Sequence, residues 1–407
     1  MKKSETSSNS LLGQPLELPG GAVLKNRIVK SAMSDSLGDG EGNPTLAQMR
    51  LYERWAEGGA GLSLIGEVQI TPDNPEKPGN LVLIPGVDFV AIQDLARRGS
   101  KDGAHIWPQL GHAGALSHLP ISMPKGPSAL DVDGLKAEGM SLSDIQALPE
   151  AYAKAAAIAK SAGFGGVQIH AGHGFLLSQF LSPLFNHRTD NYGGAIENRF
   201  RVIHEVVEAV RNRVGATFPI GIKINSTDKL VGGLVESDAL EVIRMLDKTS
   251  IDLIDISGGT YFPGAASSSD GVSDTGPYFI KFAQQAKKLT SKPIMATGGF
   301  ETRNQAIEAI EKGWVDTVSL ARAMVLEPNL ANKWIAESGE DPVFPIFDAP
   351  PRGGVTAWYS MRLTALGNDN EEQFEMTPNE AIETYEARDA QRSELWNKRF
   401  SFEKSGD

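Results

Sequence analysis

The sequence contains no cysteine, which excludes disulfides, thiolate zinc sites and Cys-ligated iron–sulfur clusters. Long apolar runs are missing too: no stretch approaches the roughly 18 apolar residues that a membrane-spanning helix needs. Basic charge is in deficit. The 39 Lys and Arg residues face 51 Asp and Glu, and the formal net charge of -12 argues against nucleic acid or an anionic membrane as the main partner. Residues 1–10 are polar and Ser-rich with no apolar core, which reads as a disordered tail and not as a secretory leader. Together these absences point to a cytoplasmic protein that acts on a small molecule.

What is present is regular alternation. Hydrophobic residues make up 41% of the 407 positions, enough for a large core. Leu16 to Val23, with its Pro-Gly-Gly turn, reads as a small hairpin. Short apolar runs then begin at Asn26, Leu62, Ala104, Gly166, Pro219, Ile251, Pro293 and Val315. Segments with helical spacing separate them, such as Thr45–Glu57, where Leu46, Met49, Tyr52 and Ala56 share a face before Gly58 and Gly59 stop the pattern. Eight β-α units predict a parallel sheet closed into a (β/α)8 TIM barrel over residues 11–340. An open doubly wound sheet is the alternative, but no G-x-G-x-x-G follows an early strand. The Pro-rich excursion Leu116–Met140 after the third strand predicts a surface hairpin or lid. Residues 341–407 leave the barrel pattern and are too few for a core of their own, so they are expected to pack on the barrel.

In such a barrel the chemistry sits at the carboxyl ends of the strands. Those ends are Ser31–Ser34, Gly66-Glu67, Gln109, His170 with His173, Lys223 with Asn225, Ser257-Gly258-Gly259, Thr297-Gly298-Gly299 and Ala321-Arg322. The last two are Gly-rich or basic, which suits a phosphate held by backbone N–H groups and one guanidinium. His170 and His173 stand three apart where strand becomes loop, so both rings can donate to one acceptor atom. The bland alternative is a hydrogen-bonded pair at a helix start. Metal is not expected, since no third or fourth ligand lies near in sequence.

The stretch around the two histidines continues as Phe180-Leu181-Ser182-Pro183, Asn186, Arg188, Asp190, Tyr192-Gly193-Gly194 and Glu197-Asn198-Arg199. This run resembles the signature of the Old Yellow Enzyme family of FMN-dependent oxidoreductases, and the resemblance extends over about residues 12–335. One departure stands out: Phe175 occupies the position where the family usually places a proton-donating tyrosine. Ala115 likewise replaces an arginine. The resemblance implies FMN with its phosphate on Gly298, Gly299, Ala321 and Arg322. It implies a flavin ring lined by Ser31, Ala32, Met33, Ser34, Gly66 and Gln109, with Lys223 as the cation that stabilises the reduced ring. Activated alkenes would be reduced with NADH or NADPH by ping-pong hydride transfer, the substrate lying against His170, His173, Phe175 and Tyr261. With Phe175 unable to donate, solvent, Tyr261 and Tyr359 are the candidate proton sources. Two alternatives stay open: an FMN dehydrogenase or demethylase run in the oxidising direction, and a non-redox lyase or flavin-binding sensor. The family's habit of pairing exposed barrel helices implies a possible homo-oligomer.

Overall fold

The computed structural model describes residues 10–265 and 276–400, so the expected tail lies outside the described residues except for Ser10. Eight parallel strands close on themselves. They are β1 (Ile28–Lys30), β2 (Leu62–Gln69), β3 (His105–Gly111), β4 (Val167–Ala171), β5 (Ile220–Asn225), β6 (Leu253–Ser257), β7 (Ile294–Thr297) and β8 (Thr317–Leu320). Closure is made by β8 pairing with β1 and β1 with β2. This is the (β/α)8 TIM barrel expected from the alternation. β1 is shorter than its apolar run predicts because the ladder loosens after Lys30. Ser31 N–H still reaches Leu320 O, and the next strand contact is the isolated bridge of Ser34 with Gly66. The chain between them is thereby freed to line the mouth.

The principal helices between strands are α1 (Leu46–Glu57), α2 (Phe89–Gly99), α3 (Leu142–Ala162), α4 (Ile196–Val214), α5 (Glu236–Asp247), α6 (Ile280–Ala286), α7 (Arg303–Glu311) and α8 (Arg322–Leu326). Their starts follow local chemistry. Ser141 caps α3 in a reciprocal box with Asp144, and Thr302 does the same for α7 with Gln305. α3 ends at Gly163, whose φ of 93° places it in the left-handed region that glycine adopts without a Cβ clash. The excursion after β3 forms a small three-stranded sheet from Lys125–Gly126, Leu130–Val132 and Leu135–Gly139, more than the hairpin expected of it.

Inside the barrel, side chains change character from bottom to top. Val29, Leu62, Leu64, Trp107, Leu253 and Met295 form one apolar cluster, closed from below by Leu18 and Leu24 of the N-terminal hairpin. Alternation puts the residues two further along each strand on the same inner face. Those residues are Ser31, Gln109, Asp255 and Thr297, so the upper layer is polar. After the barrel, α9 (Gly354–Gly367) lies against α1, and Arg54 of α1 is paired with Glu371 beyond α9. α10 (Pro378–Arg399) reaches the loops at the barrel mouth: Arg392 donates to Ser36 O and Trp396, fully buried, to Pro72 O.

Trp107 carries the floor of the polar layer. It is fully buried, and a Cβ added at Gly166 would come within 2.5 Å of its ring, so the neighbouring strand is shaped around the indole. Trp107→Ala should cost about 3–5 kcal/mol of stability, because a cavity this deep in a closed barrel cannot collapse. Urea denaturation measures it, and a loss below about 1 kcal/mol would show the interior to be more adaptable than this packing implies.

Candidate active site

His170 is the penultimate residue of β4, and the chain then turns through His173, whose φ of 58° is left-handed, and Gly174 at 80°. A non-glycine residue in that region carries strain and persists only when its neighbours hold it. Here Asn225 Oδ1 accepts the His173 backbone N–H at 2.9 Å, and Tyr261 N–H donates to His173 O at 3.1 Å. A Cβ on Gly174 would fall 1.9 Å from Thr260 Oγ1, so only glycine lets the turn close this tightly. The result is a pair of rings with His170 Nε2 3.1 Å from His173 Nδ1, and with His173 Nε2 2.8 Å from Ser257 Oγ. Burial pushes the His170 imidazole down to about 3, with the Lys223 cation adding to the effect. Burial, then His170 and Lys223, hold His173 well below the usual histidine range. Both rings are therefore neutral near pH 7 and remain hydrogen-bond donors without charge.

Phe175 is buried 5.0 Å from the His170 ring, centroid to centroid, and walls off that side. Tyr261 meets both Phe175 (5.8 Å) and His173 (5.9 Å) and is half exposed. Tyr359 lies elsewhere: its ring faces the Arg322 guanidinium at 5.6 Å, at the end of β8. That placement removes it from the proton sources considered for the histidine side. Arg322 does not pair with Glu327, which is held by Lys333.

Between the histidines and β8, a buried polar belt crosses the barrel. Lys223 Nζ is 3.1 Å from Asp255 and 3.4 Å from Ser31 Oγ. Asp255 also accepts from Gln168 Nε2 at 3.1 Å and from Thr297 Oγ1 at 2.7 Å, and Gln109 Nε2 donates to Gln168. On the β1–β2 side Ser34 Oγ donates to Glu76 Oε2 at 2.7 Å, and a Cβ on Gly66 would collide with the Met33 backbone at 2.2 Å. At β7, Gly298 and Gly299 have φ of 116° and 78°, and a Cβ on Gly299 would meet Gly276 O at 2.0 Å. Both glycines are needed because Gly276, Pro277 and Tyr278 pack directly against this turn. Of the sequence-selected residues, Ser31, Gln109, His170, His173 and Lys223 are thus gathered into one layer, with Ala32, Met33, Ser34 and Gly66 along one rim and Gly298, Gly299, Ala321 and Arg322 on another. Sequence reading placed Glu67 and Ser257 among the strand ends without giving either a partner, and passed over Asp255, whose one signal was a charge inside an otherwise apolar strand.

Lys223→Met should leave the Asp255 carboxylate buried and unpaired, at a cost of about 3–5 kcal/mol. The double variant Lys223→Met/Asp255→Asn should recover most of that. Denaturation midpoints of the three proteins decide it: equal losses in single and double variants would mean the pair is not coupled.

The NADH:flavin oxidoreductase / NADH oxidase family model matches residues 12–339. The NADH-dependent flavin oxidoreductase iliE of Hypocrea jecorina is 30% identical over 352 residues, covering 78% of this chain and 86% of that protein. The NADPH dehydrogenase of Geobacillus thermodenitrificans is 30% identical, with 76% and 89% covered. Among solved structures, a 2-naphthoyl-CoA reductase superposes with a TM-score of 0.76 at 26% identity, over 81% of this chain and 52% of that one. This chain thus spans about half of that enzyme's length. Morphinone reductase, at 24% identity and a TM-score of 0.71 over 83% and 93%, shares the fold. The chain belongs to the NADH:flavin oxidoreductase / NADH oxidase family, the Old Yellow Enzyme group of FMN-dependent oxidoreductases that use NADH or NADPH.

Proposed function

We propose that this oxidoreductase reduces activated C=C bonds of α,β-unsaturated carbonyl compounds. The observation that carries the reading is the neutral His170–His173 clamp beside the polar belt at the barrel mouth, with His170 buried and His173 half-buried. Bound FMN would supply the hydride carrier between NADH or NADPH and the electron-poor β-carbon. The residue types fit it: the backbone of the Gly298-Gly299 turn with Ala321 and the Arg322 guanidinium would hold the phosphate, and Gln109, Ser31, Ala32, Met33, Ser34 and Gly66 would line the ring. Lys223, a buried cation, would stabilise the negative charge of a reduced ring held beside it.

On the substrate, His170 Nε2–H, which points to His173 Nδ1 in the free site, turns to donate to the carbonyl oxygen, whose charge grows as hydride arrives at the β-carbon. His173 Nε2–H donates to Ser257 Oγ, which leaves its Nδ1 free to accept from His170 Nε2–H and hold that group in place. Tyr261 gives its phenolic proton to the α-carbon and regains one from water, which its half-exposed position permits. Nicotinamide and substrate use the same histidines, so turnover is ping-pong. The opposite direction, oxidation of an amine or a saturated substrate, is the second reading, favoured by Phe175 at the usual donor position.

Anaerobic stopped-flow mixing of NADPH-reduced enzyme with 2-cyclohexenone tests this. Fast flavin reoxidation is expected, slowed roughly 10²–10³-fold by His170→Ala and roughly 10²-fold by Tyr261→Phe. A flavin that stays reduced with enone but is bleached by an amine would replace this reading with the dehydrogenase one. A Tyr261→Phe enzyme at full speed would leave solvent as the proton source.

A further inference from the structure

Glu67 sits at a bulge in β2, where the register with β3 slips between Ile65 and Val68 and Glu67 takes a left-handed φ of 49°. The bulge turns its side chain into the barrel mouth. Oε1 stands 2.6 Å from His170 Nδ1, at ion-pair distance but without the alignment of a linear hydrogen bond. Oε2 is buried with no hydrogen-bond partner and would lie 2.8 Å from a Cβ at Gly111. We propose that Glu67 is a positioning residue that sets the tautomer of His170, and through it decides whether the ring presents an N–H to the substrate oxygen. The assignment rests on the reading of His170 as an oxyanion donor.

When the carboxyl is protonated, its O–H donates to Nδ1, so the single hydrogen of the neutral ring sits on Nε2 and faces His173 and the substrate. When it is ionised, Nδ1–H donates to the carboxylate and Nε2 is bare. One proton leaves the pair, and the ring loses the donor that the developing oxyanion requires. The groups around Glu67 decide which state prevails. Lys223 from β5, itself paired with Asp255, favours the carboxylate, whereas burial opposes it more strongly. Glu76, held by Ser34, and Tyr152 of α3 are also coupled to Glu67, and His170 and His173 are neutral. The balance holds the carboxyl up at about 8, so the donor tautomer is present below that pH and is lost as pH rises through it.

The test uses the holoenzyme and its Glu67→Gln variant, whose amide N–H₂ can donate to Nδ1 at every pH. With ¹⁵N-labelled histidine, the wild-type His170 Nε2 resonance should pass from protonated to unprotonated character between about pH 7 and 9, and that of Glu67→Gln should stay protonated. Enone-driven flavin reoxidation should fall by up to roughly 10²-fold above pH 8 in the wild type and show no such limb in Glu67→Gln, which should keep near-normal speed at pH 7. A wild-type tautomer constant across this range, or the same alkaline limb in both proteins, overturns the assignment. An enzyme inert to enone whose tautomer still switches only when Glu67 is present upholds it, and rejects the alkene reading alone.

Discussion

The buried contact of Lys223 with Asp255 is the constraint on which the site depends. Neither charge is tolerable alone at this depth, where desolvation outweighs any single hydrogen bond. Each also recruits neutral partners: Ser31 for the cation, Gln168 and Thr297 for the carboxylate, and Gln109 behind Gln168. Those residues come from β1, β3, β4, β5, β6 and β7. A polar belt of this kind ties the barrel together just above an apolar floor, and its cost is offset because nearly every donor meets an acceptor. The same cation then bears on each titratable group near it, pulling His170 down and opposing the rise of Glu67.

Much of this was legible in the sequence because it is periodic or local. Strand and helix alternation needs only hydrophobic spacing, and the capping boxes at Ser141 and Thr302 are four-residue patterns. The strand-end rule located His170, Gln109 and Lys223 without coordinates. Two things escaped for physical reasons. The partner of Lys223 is Asp255, on the adjacent strand but 32 positions away, and only barrel register brings them level. Glu67 points inward because of a bulge, and a bulge is a mismatch between two strands that neither carries in its own sequence. Tyr359 shows the converse: an aromatic hydroxyl chosen for its chemistry proved to be stacked on Arg322, on the far rim.

Backbone strain gathers around His170. Two of the left-handed non-glycine residues, Glu67 and His173, meet at His170 from different strands. Each is held by contacts beyond its own turn: His173 by Asn225 and Tyr261, and Glu67 by the slipped β2–β3 register. Such conformations cost on the order of 1–3 kcal/mol each and persist because the surrounding barrel over-determines them. A loop alone would relax. Placing the strain at strand ends lets the barrel keep both side chains within about 3 Å of one ring.

Phe175 gains meaning in that setting. A tyrosine there would bring a hydroxyl against the His170 ring, whereas phenylalanine makes that wall apolar and deepens the burial that keeps the imidazole neutral. A neutral ring is a donor only through whichever nitrogen holds its one hydrogen, so its usefulness turns on what faces the other nitrogen. Replacing the hydroxyl therefore shifts two duties. On the proposed reading, proton delivery would fall to a group nearer solvent, and Tyr261 is in ring contact with both Phe175 and His173. Control of the ring passes to its buried side, where Glu67 stands at 2.6 Å. The apolar substitution and the buried acid are in this sense one arrangement, since an unscreened carboxyl keeps a raised pKa only where the walls around it are dry.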